Sequence, residues 1–128
     1  MKYRIDVIKK LLNVACSDLP KTNIDLLKII TPEYPDRTIE CLIEYTKVLS
    51  ELGLMTSDDK NFGLSTGLNG HTSYFQTKIH LTHQGNEFID KLNNEAIWTT
   101  VKDNAQSATL GLLKALAPSL LSQYIMSL

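Results

Sequence analysis

The amino-acid sequence predicts a mainly α-helical fold with one small β-hairpin, and three observations lead there. Apolar residues recur at helical spacing through most of the first 52 positions. A turn-rich stretch, 57–73, then separates two short runs that read as extended. Beyond residue 82 the helical spacing returns. The chain has 128 residues, 43% of them hydrophobic and 21% charged, with a formal net charge of −1 and a mean hydropathy of −0.09. That composition excludes a disordered chain, a collagen-like repeat and a disulfide scaffold. It also lacks the overall positive field used by most non-specific nucleic-acid binders.

The elements follow in order. Ile5, Ile8, Leu11, Leu12 and Ala15 make one face of a first amphipathic helix, which ends near Ser17-Asp18 before Pro20. Thr22 or Asn23 caps a second helix holding Ile24, Leu27, Ile29 and Ile30. Thr31-Pro32-Glu33-Tyr34-Pro35 is expected to break it, since proline lacks the amide a continuing helix uses. A third helix opens at Asp36 with Ile39, Leu42, Ile43, Thr46, Leu49 and Leu52 as its inner stripe, and Gly53 is placed to end it in a left-handed conformation.

The runs 53–56 and 74–82 read as an antiparallel hairpin with a long tip. Thr82 is the expected cap of a fourth helix carrying Phe88, Ile89, Leu92, Ile97 and Trp98 and continuing to about Asn104. Gly85 lies in its first turn, where a missing side chain permits close approach to a neighbour. A final helix is expected from about Ser107, bent at Pro118. Three helices followed by a two-stranded hairpin is the winged helix-turn-helix layout. The expected division is a winged-helix domain over 1–104 and an apolar C-terminal helix over 105–128.

The run Leu81-Thr82-His83-Gln84-Gly85-Asn86-Glu87-Phe88-Ile89-Asp90, followed by Ile97-Trp98, resembles the bacterial and prophage proteins grouped as domain of unknown function 2513. It is also similar to the small YjcQ-like winged-helix proteins. The opening matches at Met1-Lys2, Asp6, Ile8, Lys9, Lys10, Leu11 and Leu12, and the end of the third helix matches at Leu49-Ser50-Glu51-Leu52-Gly53-Leu54. The resemblance covers about residues 1–105, and the 57–73 loop is where this chain departs from the pattern. It implies a winged-helix fold and a phage or phage-defence setting, and it brings no catalytic residues with it.

Chemistry-bearing residues are sparse. Cys16 and Cys41 sit among aliphatic residues in helical patterns, where a free thiol acts as a small hydrophobe. No signal-peptide pattern opens the chain and no apolar run reaches spanning length, so the expected setting is cytoplasmic, with no transmembrane segment. His71, His80 and His83 lack the further ligands of a recognised metal spacing. Asp58-Asp59 and Ser65-Thr66 are tied to no histidine by a motif, and Gly63, Gly67 and Gly70 do not form a phosphate-binding loop. The expectation is a non-enzyme without metal or cofactor.

Two interaction surfaces remain. In a DNA-reading winged helix the third helix enters the major groove. Its outward positions here are expected to be Arg37, Glu40, Cys41, Glu44, Tyr45, Lys47, Val48 and Glu51, of which Arg37, Tyr45 and Lys47, with Lys60 of the loop, are the candidate DNA contacts. Three acids against two bases make that face a poor match for phosphates. The other surface is the tail. After Asp103 its only charged side chain is Lys114, and its leucines exceed one helical stripe. Such a segment can pack on its own core, lie on a membrane surface or self-associate. The preferred expectation is a homo-oligomer or a protein partner held through a seam of Leu113, Leu116, Leu120, Leu121 and Tyr124, with a DNA-binding regulator as the alternative.

Overall fold

The structure is a computed structural model that describes residues 3–104 and 107–108. Among them the chain runs β1 (Tyr3–Arg4), α1 (Ile5–Ala15), β2 (Lys21–Thr22), α2 (Asn23–Glu33), α3 (Thr38–Glu51), β3 (Met55–Ser57), β4 (Leu64–Thr66), β5 (Thr72–Tyr74), β6 (Lys78–Leu81), α4 (His83–Leu92), α5 (Glu95–Asn104) and β7 (Ser107–Ala108). The fold is mainly α with small antiparallel sheets, as the periodicity predicts.

Helix α1 buries Ile5, Val7, Ile8, Leu11 and Leu12, while the intervening polar residues face outward. Helix α2 begins where expected. Thr22 is the cap: its hydroxyl accepts from the Ile24 amide, and its own amide donates to Asp25 Oδ2 at 2.9 Å. The expected break falls within Thr31–Pro35: the helix ends at Glu33, with Pro32 in its last turn. There its missing amide forfeits one bond only, and the Tyr34 amide still reaches the Ile30 carbonyl at 2.9 Å. Helix α3 accordingly starts at Thr38 rather than Asp36. It ends as expected. Gly53 has φ +72°, its amide donates to the Ser50 carbonyl, and the Leu54 amide donates to that of Leu49. This pair of bonds is a Schellman motif.

The three-stranded sheet has the order β2-β6-β3, all antiparallel, with Ile79 of the central strand opposite both Lys21 and Ser57. The long tip between β3 and β6 is not a simple loop: it carries a second hairpin, β4 with β5, in register Leu64↔Tyr74. Its inner end is fastened by Asn23, which is 1% exposed. The Asn23 side-chain amide donates to the Phe62 and Phe75 carbonyls at 2.9 and 2.8 Å, and its oxygen accepts from the Thr77 amide at 3.2 Å. All three of its hydrogen bonds reach across the fold.

Thr82 caps α4 through the Gly85 amide. A Cβ built on Gly85 would lie 2.0 Å from the Leu54 carbonyl oxygen, so glycine is what lets α4 rest on the start of the hairpin. The helix expected to run from 83 to 104 is two helices. Asn93 and Asn94 interrupt it, with Asn94 Oδ1 accepting from the Ile97 amide to restart α5 and Asn93 exchanging two side-chain hydrogen bonds with Asn13 of α1. Ser107-Ala108, expected to open a final helix, instead pairs as a strand with Tyr3–Arg4. The core unites α1 to α4 with the sheet, from Ile8, Leu11 and Leu26 to Leu49, Met55 and Ile89, all nearly inaccessible.

An ion cluster links the start of α1 to the end of α2. Arg4 contacts Asp6 at 2.6 Å and Glu33 at 2.7 Å, and Lys10 reaches Glu33 at 2.9 Å. Hydrogen bonds from Lys10, and then from Arg4, hold the Glu33 carboxyl below its ordinary value of 4.5. A depressed folded value stabilises the fold above the unfolded pKa and loses that contribution as pH falls through the folded one. Glu33→Gln is therefore expected to cost less than about 1 kcal/mol at neutral pH, because the partners are solvated. The gap in melting temperature between the two proteins should close as pH falls through the depressed Glu33 value, which a thermal melt series in pH checks.

Candidate functional site: the cleft beside the third helix

Helix α3 buries a wider stripe than its leucine spacing implies. Cys41, Tyr45 and Val48 lie inside together with Leu42, Thr46 and Leu49, whereas Ile39, Ile43 and Leu52 are only partly covered. The reason is a neighbour far away in sequence. Tyr3 packs edge-on against the Tyr45 ring at 5.3 Å, and Tyr34 of the α2–α3 connection flanks it at 5.8 Å. The Tyr45 hydroxyl accepts from the Arg4 amide at 2.9 Å and shares a 2.7 Å hydrogen bond with the Tyr34 hydroxyl. Burial, reinforced by that Tyr34 bond, pushes the Tyr45 phenol well above its usual range. Tyr45 is thus a core residue with a satisfied hydroxyl, and it is withdrawn as a base-contacting side chain. Cys41 and Val48 likewise leave the outward face.

What remains exposed on α3 is Arg37 at its start, then Glu40, Lys47, Ser50 and Glu51, with Glu44 half-buried and accepting from the Tyr3 hydroxyl at 3.3 Å. Arg37 is not among the residues lining the cleft that the other candidate cations share. Lys47 and Lys60 are brought together, both lining a cleft of about 270 Å³ between α3 and residues 60–66. Ile43, Phe62 and Leu64 supply its apolar wall, and Ser50, Asn61 and Thr66, with Thr46 and Ser65, its remaining polar groups.

The turn that carries Lys60 is tightly held. Asp59 Oδ2 accepts from the Asn61 and Gly63 amides at 3.0 and 2.8 Å, its carbonyl accepts from the Phe62 amide at 3.0 Å, and Ser57 Oγ donates to the same carbonyl. Phe62 has φ +58°, a conformation that bulky residues rarely adopt. Burial of its ring and the bond from Asn23 to its carbonyl keep it there. Gly63 follows at φ +70°, where a Cβ would lie 2.2 Å from the Phe75 carbonyl oxygen.

The other sequence candidates are dispersed. His80 Nε2 lies 2.6 Å from Asp58 Oδ1, an exposed pair between β6 and the residue after β3, while His83 turns to Glu87 of its own helix at 3.0 Å. The two histidines therefore serve different carboxylates, and no group of three or more His, Cys, Asp or Glu suited to a metal occurs among the described residues. Ser65 pairs with Ser73 at 2.9 Å. Cys41 is buried, as its pattern predicts, but Cys16 is exposed at the end of α1. Sequence reasoning missed Asn23, because a lone Asn at a helix start reads as a cap. It also missed the exposed apolar group Leu68, Tyr74 and Phe75 on and beside the second hairpin.

The proposed seam residues Leu113, Leu116, Leu120, Leu121 and Tyr124 lie outside the described residues. No helix among the described residues is long and apolar enough to cross a membrane. No curated protein and no solved structure matches the chain. A family model described as "Hypothetical protein (DUF2513)" matches residues 2–111, the span that holds the Leu-Thr-x-x-Gly cap of α4, the Gly53 terminator and the buried face of α1, and the chain belongs to that family.

Proposed function

We propose that this protein is a winged helix-turn-helix that works by associating with itself or with another protein, not by catalysis, and that its C-terminal segment is the associating part. The winged-helix reading is supported by the order α1, β2, α2, α3, β3, β6 and by the sheet order β2-β6-β3, in which a short strand between the first two helices adds to the edge of the hairpin. The association reading is carried by one observation: beyond Asp103 the sequence has a single charge and a dense run of leucines, and this segment begins at a strand fastened to the body at Tyr3–Arg4. Exposed Leu68, Tyr74 and Phe75, where a DNA-binding wing would carry cations, favour the same reading.

Sedimentation velocity tests it. The full chain should form an oligomer, and both a chain ending at Gln106 and the full-length Leu116→Asp/Leu120→Asp variant should sediment as monomers. The point variant keeps the β1–β7 pairing, so a folding defect from truncation does not blur the result. The same oligomeric state in all three proteins would overturn the proposal.

The second reading is a prophage-type DNA-binding regulator, favoured by the placing of Lys47 and Lys60 on one cleft. With Arg37 it offers three cations, so log affinity against log salt should fall with a slope of roughly −3. A flat dependence counts against it.

A further inference from the structure

We infer that the cleft between α3 and residues 60–66 is a binding site for a small organic anion, its phosphate or carboxylate held by Lys47 and Lys60 and its apolar body resting on Ile43, Phe62 and Leu64. The inference does not depend on the association reading, because it uses none of the C-terminal segment.

The charges come first. Among the described residues Lys47 and Lys60 make no ion pair, in contrast to Arg4 and Lys10, which share Glu33, and to Lys9, whose ammonium lies 4.2 Å from the centre of the Trp98 ring. Two ammonium groups that border one cavity and make no ion pair among the described residues can both attract an anion placed in it. Ser50, Asn61 and Thr66 bring further donors to the same space.

The walls come next. One is α3, which is anchored in the core. The other is the 59–63 turn, over-determined by the Asp59 carboxylate, the Asn23 clamp and the buried Phe62 ring. A site whose walls are already ordered loses little entropy on binding. The cavity, about 270 Å³, lies just below the range of roughly 300–1,000 Å³ typical of drug-sized ligands, so the occupant is small.

The surroundings decide against a polyanion. Glu40, Glu44 and Glu51 continue along α3, and Asp58 and Asp59 precede Lys60. A nucleic acid carries phosphates at regular short intervals, so those next to a bound one would fall near carboxylates. Cationic groups that occupy one cleft and are bordered by acids fit a single anionic head.

Chemical-shift mapping on the full-length chain tests this with phenyl phosphate, hexanoate, inorganic phosphate and a short DNA duplex as separate probes. Phenyl phosphate or hexanoate should shift the amides around Lys47, Ser50 and 60–66 saturably, and which of the two binds more tightly tells phosphate from carboxylate. Inorganic phosphate, which lacks the apolar body, should bind about tenfold more weakly than phenyl phosphate. Lys47→Gln/Lys60→Gln, two substitutions at exposed positions that should leave the melting temperature unchanged, should weaken the organic anion about tenfold or more. The inference is overturned if neither organic anion saturates, if the double variant binds as well as the parent, or if only the duplex shifts these amides.

Discussion

Gly85→Ala is expected to destabilise the protein by about 3 kcal/mol or more, despite alanine being the better helix former by about 1 kcal/mol. The new methyl carbon would lie 2.0 Å from the Leu54 carbonyl oxygen and 3.0 Å from both its carbon and the Leu81 side chain. The obstruction is mainly backbone, so no rotamer change relieves it. Helix α4 must instead lift away from the end of α3. That movement stretches the Thr82 amide bond to the Leu54 carbonyl, 3.1 Å, and the Thr82 hydroxyl bond to the Gly53 carbonyl, 2.6 Å. It also loosens Ile89 and Leu92 from the core they fill. Thermal unfolding should show a melting temperature lower by roughly 10 °C. An unchanged midpoint would mean that the approach of α4 to the hairpin is looser than this contact requires.

Asn23→Ala should cost about 2–4 kcal/mol. The side chain's three hydrogen bonds run to Phe62, Phe75 and Thr77, and its removal strands the buried Phe62 carbonyl and Thr77 amide without a replacement partner. The damage should be regional. Amide hydrogen exchange over 59–77 should accelerate more than exchange in α1 or α2, because the clamp holds the second hairpin to the sheet and not the helices to one another. Asn23→Asp should give no rescue. Its carboxylate can still accept from Thr77, but it turns an acceptor toward two carbonyl oxygens. A stable Asn23→Asp protein would show that the clamp contributes little. Since Asn23 also holds the Phe62 turn, Asn23→Ala should weaken anion binding at the Lys47–Lys60 cleft in parallel.

Much of the architecture is legible along the chain because helix ends are made by local chemistry. Thr22, Thr82 and Gly53 do at their positions what those residue types do wherever a helix starts or stops. Gly85 is legible as a close-packing position because it is a glycine in a helix's first turn, though what it packs against, Leu54, is not. Misreadings arise where local rules compete. Pro32 marks the end of α2 but within its last turn, and Asn93-Asn94 interrupts an apolar period that spacing alone carries through. The spacing places Ser107-Ala108 at the start of a helix, yet it becomes a strand because the edge of Tyr3–Arg4 offers hydrogen bonds.

The candidate site is harder to read, and Tyr45 shows why. Its place on α3 is evident from the sequence, but whether a phenol faces solvent or core depends on whether its hydroxyl finds partners inside, and those partners are Arg4 and Tyr34. The same holds for the pair of lysines that define the cleft and for the pairing of His80 with Asp58.

From its residues alone, then, this chain declares its helices, their caps, its hairpin and an almost uncharged C-terminal end, since each of these follows from interactions within a few positions. Which side of α3 is covered, what fastens the second hairpin and which cations share a cleft emerge only when distant segments meet. Hydrogen bonds and charges act through space over a few ångströms, and separation along the chain does not encode that distance.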